Sequence, residues 1–220
     1  CRIKDVSIKE LDIIWENDDM LVINKPSGML CVRDESLSEW PIIAHRLDKE
    51  TSGCLLMAKN LKALRFLMKQ FKDRKVDKEY TALVHGWIEP KEGRVRLPLA
   101  NRGQGNVRQG VRYDGKMADT AWRTVERLTK DGEDLSLLKV RIYTGRTHQI
   151  RVHLSHLGYP VFSDSQYLGK AQLRLDGQRL NRQFLHASKI AFSLLDGVRQ
   201  AIVAELPQNL LDLINLKEDV

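Results

Sequence analysis

The sequence predicts an α+β fold built on a mixed or mainly antiparallel sheet. Three observations carry that expectation. Segments that read as strands outnumber those that read as helices. They do not alternate with helices at the regular spacing of a doubly wound fold. Leu138-Lys139-Val140-Arg141-Ile142 alternates apolar and charged residues, as a half-buried strand does. At 220 residues and 42% hydrophobic composition, the chain can bury a substantial core as one domain.

Taken in order, Met20 to Ile23 is a short apolar strand, closed by the turn chemistry of Asn24-Lys25-Pro26-Ser27-Gly28. Residues 54–58 form a second apolar strand. A helix follows, with Asn60 placed to cap it and Leu61, Leu64, Leu67, Met68 and Phe71 at helical spacing. Its wet face carries Lys62, Arg65, Lys69 and Lys72. Tyr80 to Val84 is a strand stopped by Gly86. Residues 101–116 form a basic loop or hairpin. Asn101-Arg102-Gly103-Gln104-Gly105 only superficially resembles a nucleotide-binding loop, for it lacks the Lys-Ser/Thr of a P-loop. Ala118 to Leu128 and Leu135 to Ile142 are strands, turned at Asp131-Gly132. A helix runs from Thr144 to about Leu157 on a stripe of Ile150, Leu154 and Leu157. A long loop reaches to about Gln183, a strand covers Phe184 to Ser193, and a last helix follows Pro207 with Leu210, Leu211 and Ile214. No repeat, low-complexity tract or interdomain linker interrupts this order.

The formal charge of +7 favours a polyanionic partner, nucleic acid before membrane. No apolar run approaches the roughly 18–20 residues that span a bilayer, and no secretory signal is visible. The chain begins at Cys1, which reads as a trimmed start. Three cysteines, Cys1, Cys31 and Cys54, with no C-x-x-C pair make neither a disulfide framework nor a zinc finger, and point to a reducing, cytoplasmic compartment. Cys54 reads as a small core residue.

The segment His45-Arg46-Leu47-Asp48-Lys49-Glu50-Thr51-Ser52-Gly53 sets a carboxylate two residues after an arginine in a polar turn. An isolated aspartate there is ordinarily a cap or turn residue. Three further segments change its reading: Asn24 to Gly28, Lys78-Glu79-Tyr80-Thr81-Ala82-Leu83-Val84-His85-Gly86, and Thr144-Gly145-Arg146-Thr147-His148-Gln149-Ile150-Arg151-Val152-His153. In this order the four segments resemble the signatures of the RluA-type RNA pseudouridine synthases, over about Ile13 to Leu206. One departure is the short interval between Gly28 and His45, which leaves Met29 to Ile43 without a strand assignment.

The resemblance implies a pseudouridine synthase fold: a mixed, mainly antiparallel sheet flanked by helices around a central catalytic cleft. It implies one catalytic domain over 1–220, with the S4-like RNA-binding module that precedes many members absent or trimmed. The implied activity is isomerisation of uridine in RNA, in 23S ribosomal RNA first and transfer RNA second. The implied partner is RNA, with no membrane, and the chain is expected to be a monomer. No cofactor is implied, because the reaction breaks N1–C1′, turns the uracil and rejoins it through C5.

The resemblance also implies roles. Asp48 is the essential carboxylate, with three paths open to it: attack at C1′, addition at C6 or removal of a C2′ proton. Bound RNA would desolvate a carboxylate and favour its neutral form; a fixed guanidinium opposes that, and the resemblance supplies it as Arg151. Tyr80 stacks on the flipped uracil and moves the C5 proton. Arg46 enters the space vacated by the flipped base. Arg146 and His148 contact phosphate, and Ile150 completes the substrate-binding set. His45 packs or makes a structural hydrogen bond. No metal site is expected: His148, His153 and His156 lack H-E-x-x-H spacing and a nearby carboxylate or cysteine ligand. A non-catalytic RNA-binding or assembly protein on the same fold is the alternative, and the presence of Asp48, Tyr80 and Arg151 together argues against it.

Overall fold

The computed structural model describes residues 2–3, 11–32, 41–103 and 108–215. These fall into two compact units. The first takes the chain to Lys78 and again from His186 to Glu205; the second takes Glu79–Leu185 and the chain from Leu206.

In the first unit, β1 (Arg2–Ile3) pairs β4 (Cys31–Val32) in a small antiparallel ribbon. A larger sheet runs β2 (Ile13–Glu16), β3 (Met20–Lys25), β6 (Ser52–Ala58), β12 (Leu185–Ser193), with β5 (Ile42–Ile43) on β6 and β13 (Arg199–Val203) on β12. It is mixed: β6 and β12 are parallel, through Ser52 opposite His186 and Gly53 opposite Ala187, and the other pairings are antiparallel. All seven residues of β6 are buried, which is why it reads as a continuous apolar run without alternation. Helix α1 (Leu61–Lys72) covers the sheet. Asn60 caps it by accepting the Ala63 N–H at 2.9 Å, and Lys69 and Lys72 complement the dipole at its end. Its Ala63, Leu64 and Leu67 pack with Val22, Cys54, Leu56 and Phe192. Cys54 donates to the Ile202 carbonyl, and burial pushes its thiol up to about 11, so it is the inert core residue the sequence indicated.

The second unit carries an antiparallel sheet in the order β7 (Asp77–His85), β11 (Glu133–Ile142), β10 (Lys116–Lys130), β8 (Glu92–Asn101), β9 (Gln109–Val111). Asp131 and Gly132, with φ of 51° and 75°, make the two-residue turn between β10 and β11 that a right-twisted hairpin requires. The basic 101–116 segment carries β9, which pairs with the end of β8 from Leu99 to Asn101; residues 104–107 lie outside the described residues. On one face, Val152 of α2 (Gln149–His156) packs with Leu99, Ala118 and Tyr167. On the other, Leu83, Leu135 and Leu137 pack with Phe162, Phe184 and two leucines of α4 (Gln208–Asn215), Leu210 and Leu213.

Three expectations are corrected. The helix expected from Thr144 begins at Gln149: His148 takes a left-handed φ of 54°, and the Gln149 side chain holds the preceding residues in a loop. The expected long loop contains α3 (Lys170–Arg179), whose one buried residue is Asp176; a helix anchored by a carboxylate has no apolar stripe to betray it. Strands β2, β8 and β13 were not anticipated. In β8, Val95, Leu97 and Leu99 alternate with Arg94 and Arg96, but Pro98, a residue that seldom sits inside a strand, interrupts the pattern.

Candidate active site

The first unit presents Arg46 and Asp48 on the loop that enters β6. Arg46 is exposed, Leu47 is buried and Asp48 is partly exposed. The Asp48 carbonyl accepts the Thr51 N–H at 3.1 Å, closing a tight turn. That turn is tied to the Asn24–Gly28 segment four times. Lys25, fully buried, donates its ammonium hydrogens to the carbonyls of Pro26, Met29 and Lys49 at 2.9, 2.9 and 3.0 Å. Three acceptors match the three donors of an ammonium. Gly28 N–H also donates to Lys49 O, and Ser27 Oγ donates to Glu50 O and Oε2. The sequence indicated a turn at Lys25; its reach to the Asp48 loop depends on a residue 24 positions away and left no local signal.

The other letters of this segment are structural. His45 Nε2 accepts the Leu56 N–H at 3.1 Å while its ring lies against Phe71. Desolvation, with Lys78 nearby, lowers its pKa to about 3, so it is neutral and moves no protons. His186 must donate Nε2–H to the Ala204 carbonyl, which leaves Nδ1 to accept from Ser52 Oγ at 2.8 Å. Gly53 sits at φ 109°, and a Cβ there would lie 2.3 Å from the Ala187 carbonyl oxygen. Only glycine lets the two parallel strands approach.

The second unit presents Tyr80 and Arg151. Tyr80 is 6% exposed on β7, opposite Val140. Arg151 is 4% exposed, so it is no ordinary surface arginine. Its Nε and Nη2 donate to the two oxygens of fully buried Asp164 at 2.7 and 2.8 Å, and its guanidinium carbon lies 5.1 Å from the Tyr167 ring centre. Asp164 Oδ1 also accepts the N–H groups of Gln166 and Tyr167. A two-pronged pair whose carboxylate also takes two main-chain N–H groups is the geometry in which a buried ion pair is tolerated. Ser163, beside Asp164, is itself held in a left-handed conformation by the Asp176 carboxylate on its N–H. The roles of Asp164 and Tyr167 were missed in the sequence, because their partners are set by the fold.

Arg146 is exposed, with Nε on the Met117 carbonyl. His148 Nδ1 lies 2.9 Å from the Tyr167 hydroxyl, which also accepts the Gln109 N–H. Ile150 is 4% exposed and its side chain is enclosed. Gln149 organises the segment. Its Oε1 accepts from Thr144 Oγ1 and the Arg146 N–H, and its Nε2 donates to Asp119 O and Thr120 Oγ1. Thr120 in turn faces Nδ1 of His153, whose Nε2 donates to Leu97 O; desolvation holds His153 below the ordinary histidine value. Among the described residues, the side chains that could converge on a metal are His85, Glu133 and Asp176. They are already occupied: Arg179 and Gln172 donate to Glu133, while His85 and the Ser163 N–H meet Asp176.

Residues 19–156 match the family model described as RNA pseudouridylate synthase. The chain is 33% identical, over 96% of its length, to the uncharacterized RNA pseudouridine synthase YlyB of Bacillus subtilis, covering 74% of that protein. It is 36% identical, over 87% of its length, to the ribosomal large subunit pseudouridine synthase C of Haemophilus ducreyi, covering 64% of that protein. Among solved structures, human RNA pseudouridylate synthase domain containing 1 superposes with a TM-score of 0.77 at 26% identity, over 93% of this chain and 86% of that one.

Proposed function

The chain belongs to the RNA pseudouridylate synthase family, and on that premise we propose that it isomerises uridine to pseudouridine in ribosomal RNA of the large subunit. One observation carries the reading: the family match over residues 19–156 takes in all four signature segments, Asn24–Gly28, His45–Gly53, Lys78–Gly86 and Thr144–His153. The ribosomal target is supported by the likeness to the large subunit synthase C.

In this reading Asp48 is the carboxylate that acts on the target nucleotide. The N1–C1′ bond breaks, the uracil turns, C5 bonds to C1′, and the C5 proton leaves as N1 regains one. Tyr80 stacks on the base, and its hydroxyl carries the C5 proton. Arg151 keeps the Asp48 carboxylate ionised when RNA excludes water. Arg46 fills the gap left by the flipped base, while Arg146 and His148 engage phosphate. Ile150 supports the base-binding side from within the packed helix. No group beyond the protein and RNA is needed.

The test is base-resolved pseudouridine mapping of total RNA from cells with and without the chain. Loss of signal at one or a few uridines of large subunit ribosomal RNA is the expected result. Loss confined to transfer RNA would move the target, and an unchanged map would overturn the activity.

A further inference from the structure

The sheet of the second unit has two unlike faces. Register places Val95, Thr120 and Ile142 in one row and Trp122, Val140 and Tyr80 in the next, on the face covered by α2. The intervening residues point the other way. At one end of that reverse face, Leu83, Leu135 and Leu137 are covered by Phe162, Phe184 and α4. The other end is open and charged. Its rows are Arg94, Ala121, Arg141, Glu79 and then Glu92, Arg123, Lys139, with Arg96 and Asp119 beside the first.

This open end sets five cations against three carboxylates. Arg94 and Arg96 share the single charge of Asp119 and remain 43% and 61% exposed. Glu79 is engaged by Lys139 at 3.6 Å. Arg123 and Arg141 are exposed. The Tyr143 ring lies 4.3 Å from the Arg94 guanidinium carbon and 5.2 Å from that of Arg141, so both arginines are braced before any partner arrives. Bracing lowers the entropy lost on binding. Both flank the small Ala121, two strand spacings or about 10 Å apart, leaving a shallow floor between them.

We propose that this reverse face is a second RNA-binding surface, which grips the phosphate backbone of a structured segment away from the target uridine. It rests on the reading of RNA as substrate. Several arginines presented by a rigid, exposed sheet suit a polyanion that is bound by charge and not by sequence. The face lies opposite the one that carries Tyr80, so it serves affinity and orientation, not the chemistry.

The test compares wild type with the triple variant Arg96→Gln, Arg123→Gln, Arg141→Gln. Binding to a defined RNA duplex lacking the target uridine is followed by fluorescence anisotropy across a salt series. Turnover is followed on a short stem-loop containing the uridine found by mapping. The variant should bind the duplex about tenfold more weakly, with a log–log salt slope shallower by roughly two, as expected for two to three lost phosphate contacts. Its kcat on the stem-loop should stay within about twofold of wild type, since the chemistry and fold are untouched. Duplex affinity and slope equal to wild type, or no duplex binding by wild type, would overturn the inference, as would a collapse of kcat. A wild type that converts no uridine in any RNA would instead overturn the proposed activity.

Discussion

The loop of Asp48 and the side chain of Arg151 are held in opposite ways. The loop is held through its main chain: the Lys25 ammonium, the Ser27 hydroxyl and the Gly28 N–H all bond carbonyls of Lys49 or Glu50. Arg151 is held through its own charge, by the buried carboxylate of Asp164 and the ring of Tyr167. A loop tied by several separate hydrogen bonds can lose one tie and keep its course. A buried guanidinium gripped by a two-pronged ion pair is less forgiving, because breaking that pair removes a charge and weakens two hydrogen bonds at once. The signature segments themselves spend more residues on holding than on chemistry. In the first, Leu47, Thr51, Ser52 and Gly53 are buried, and Arg46 and Asp48 reach the surface. In the second, Thr144, Gln149 and His153 are buried in one hydrogen-bond chain.

That contrast can be broken at graded points. Gly53→Ala should be the most damaging, costing about 4 kcal/mol or preventing folding, because a Cβ would meet the Ala187 carbonyl and the positive φ is strained. Yield and urea unfolding would show it; a loss below about 1 kcal/mol would mean the strands can part. Asp164→Asn should cost about 3 kcal/mol and depress turnover with it, by removing the buried carboxylate charge that the Arg151 guanidinium grips with two hydrogen bonds. Lys25→Met should cost about 2 kcal/mol, less than Asp164→Asn, because the Ser27 and Gly28 hydrogen bonds still tie the loop when the ammonium is gone. If Lys25→Met proves the costlier, the contrast is drawn the wrong way round.

The smallest effect is one of pH. His45 is neutral in the folded chain down to about pH 3, whereas the unfolded chain protonates it near 6.5. As pH falls through that window the unfolded state binds the extra proton, so stability present above 6.5 is lost progressively toward 3. Between pH 7.5 and 5 this should cost wild type about 1–2 kcal/mol in urea unfolding, and His45→Gln should lack that share of the loss. Equal acid sensitivity in both proteins would show that the ring protonates in place.

Much of this was legible in the sequence. The Asn60 cap and the leucine stripe fixed α1 to the residue at its start, and the alternation of Leu138, Val140 and Ile142 is the buried-exposed alternation of β11. Local pattern sufficed wherever an apolar face was buried against the rest of its unit. It failed where polar groups anchored the chain. Helix α3 hangs on Asp176, and the start of α2 is set by the Gln149 side chain. The contributions of Lys25, Asp164 and Tyr167 are likewise long-range hydrogen bonds or ion pairs, with nothing beside them in sequence to announce a partner.

The proposed reaction rests first on Asp48 as the reacting carboxylate. Asp48→Asn keeps the shape of the side chain and leaves the Asp48–Thr51 turn, made by the main chain, in place. Single-turnover pseudouridine formation on the mapped RNA, measured alongside RNA affinity, tests it most directly. Product formation should disappear while affinity and the urea unfolding curve stay close to wild type. A variant that forms pseudouridine within about tenfold of the wild-type rate, some 1.4 kcal/mol of barrier, would contradict it.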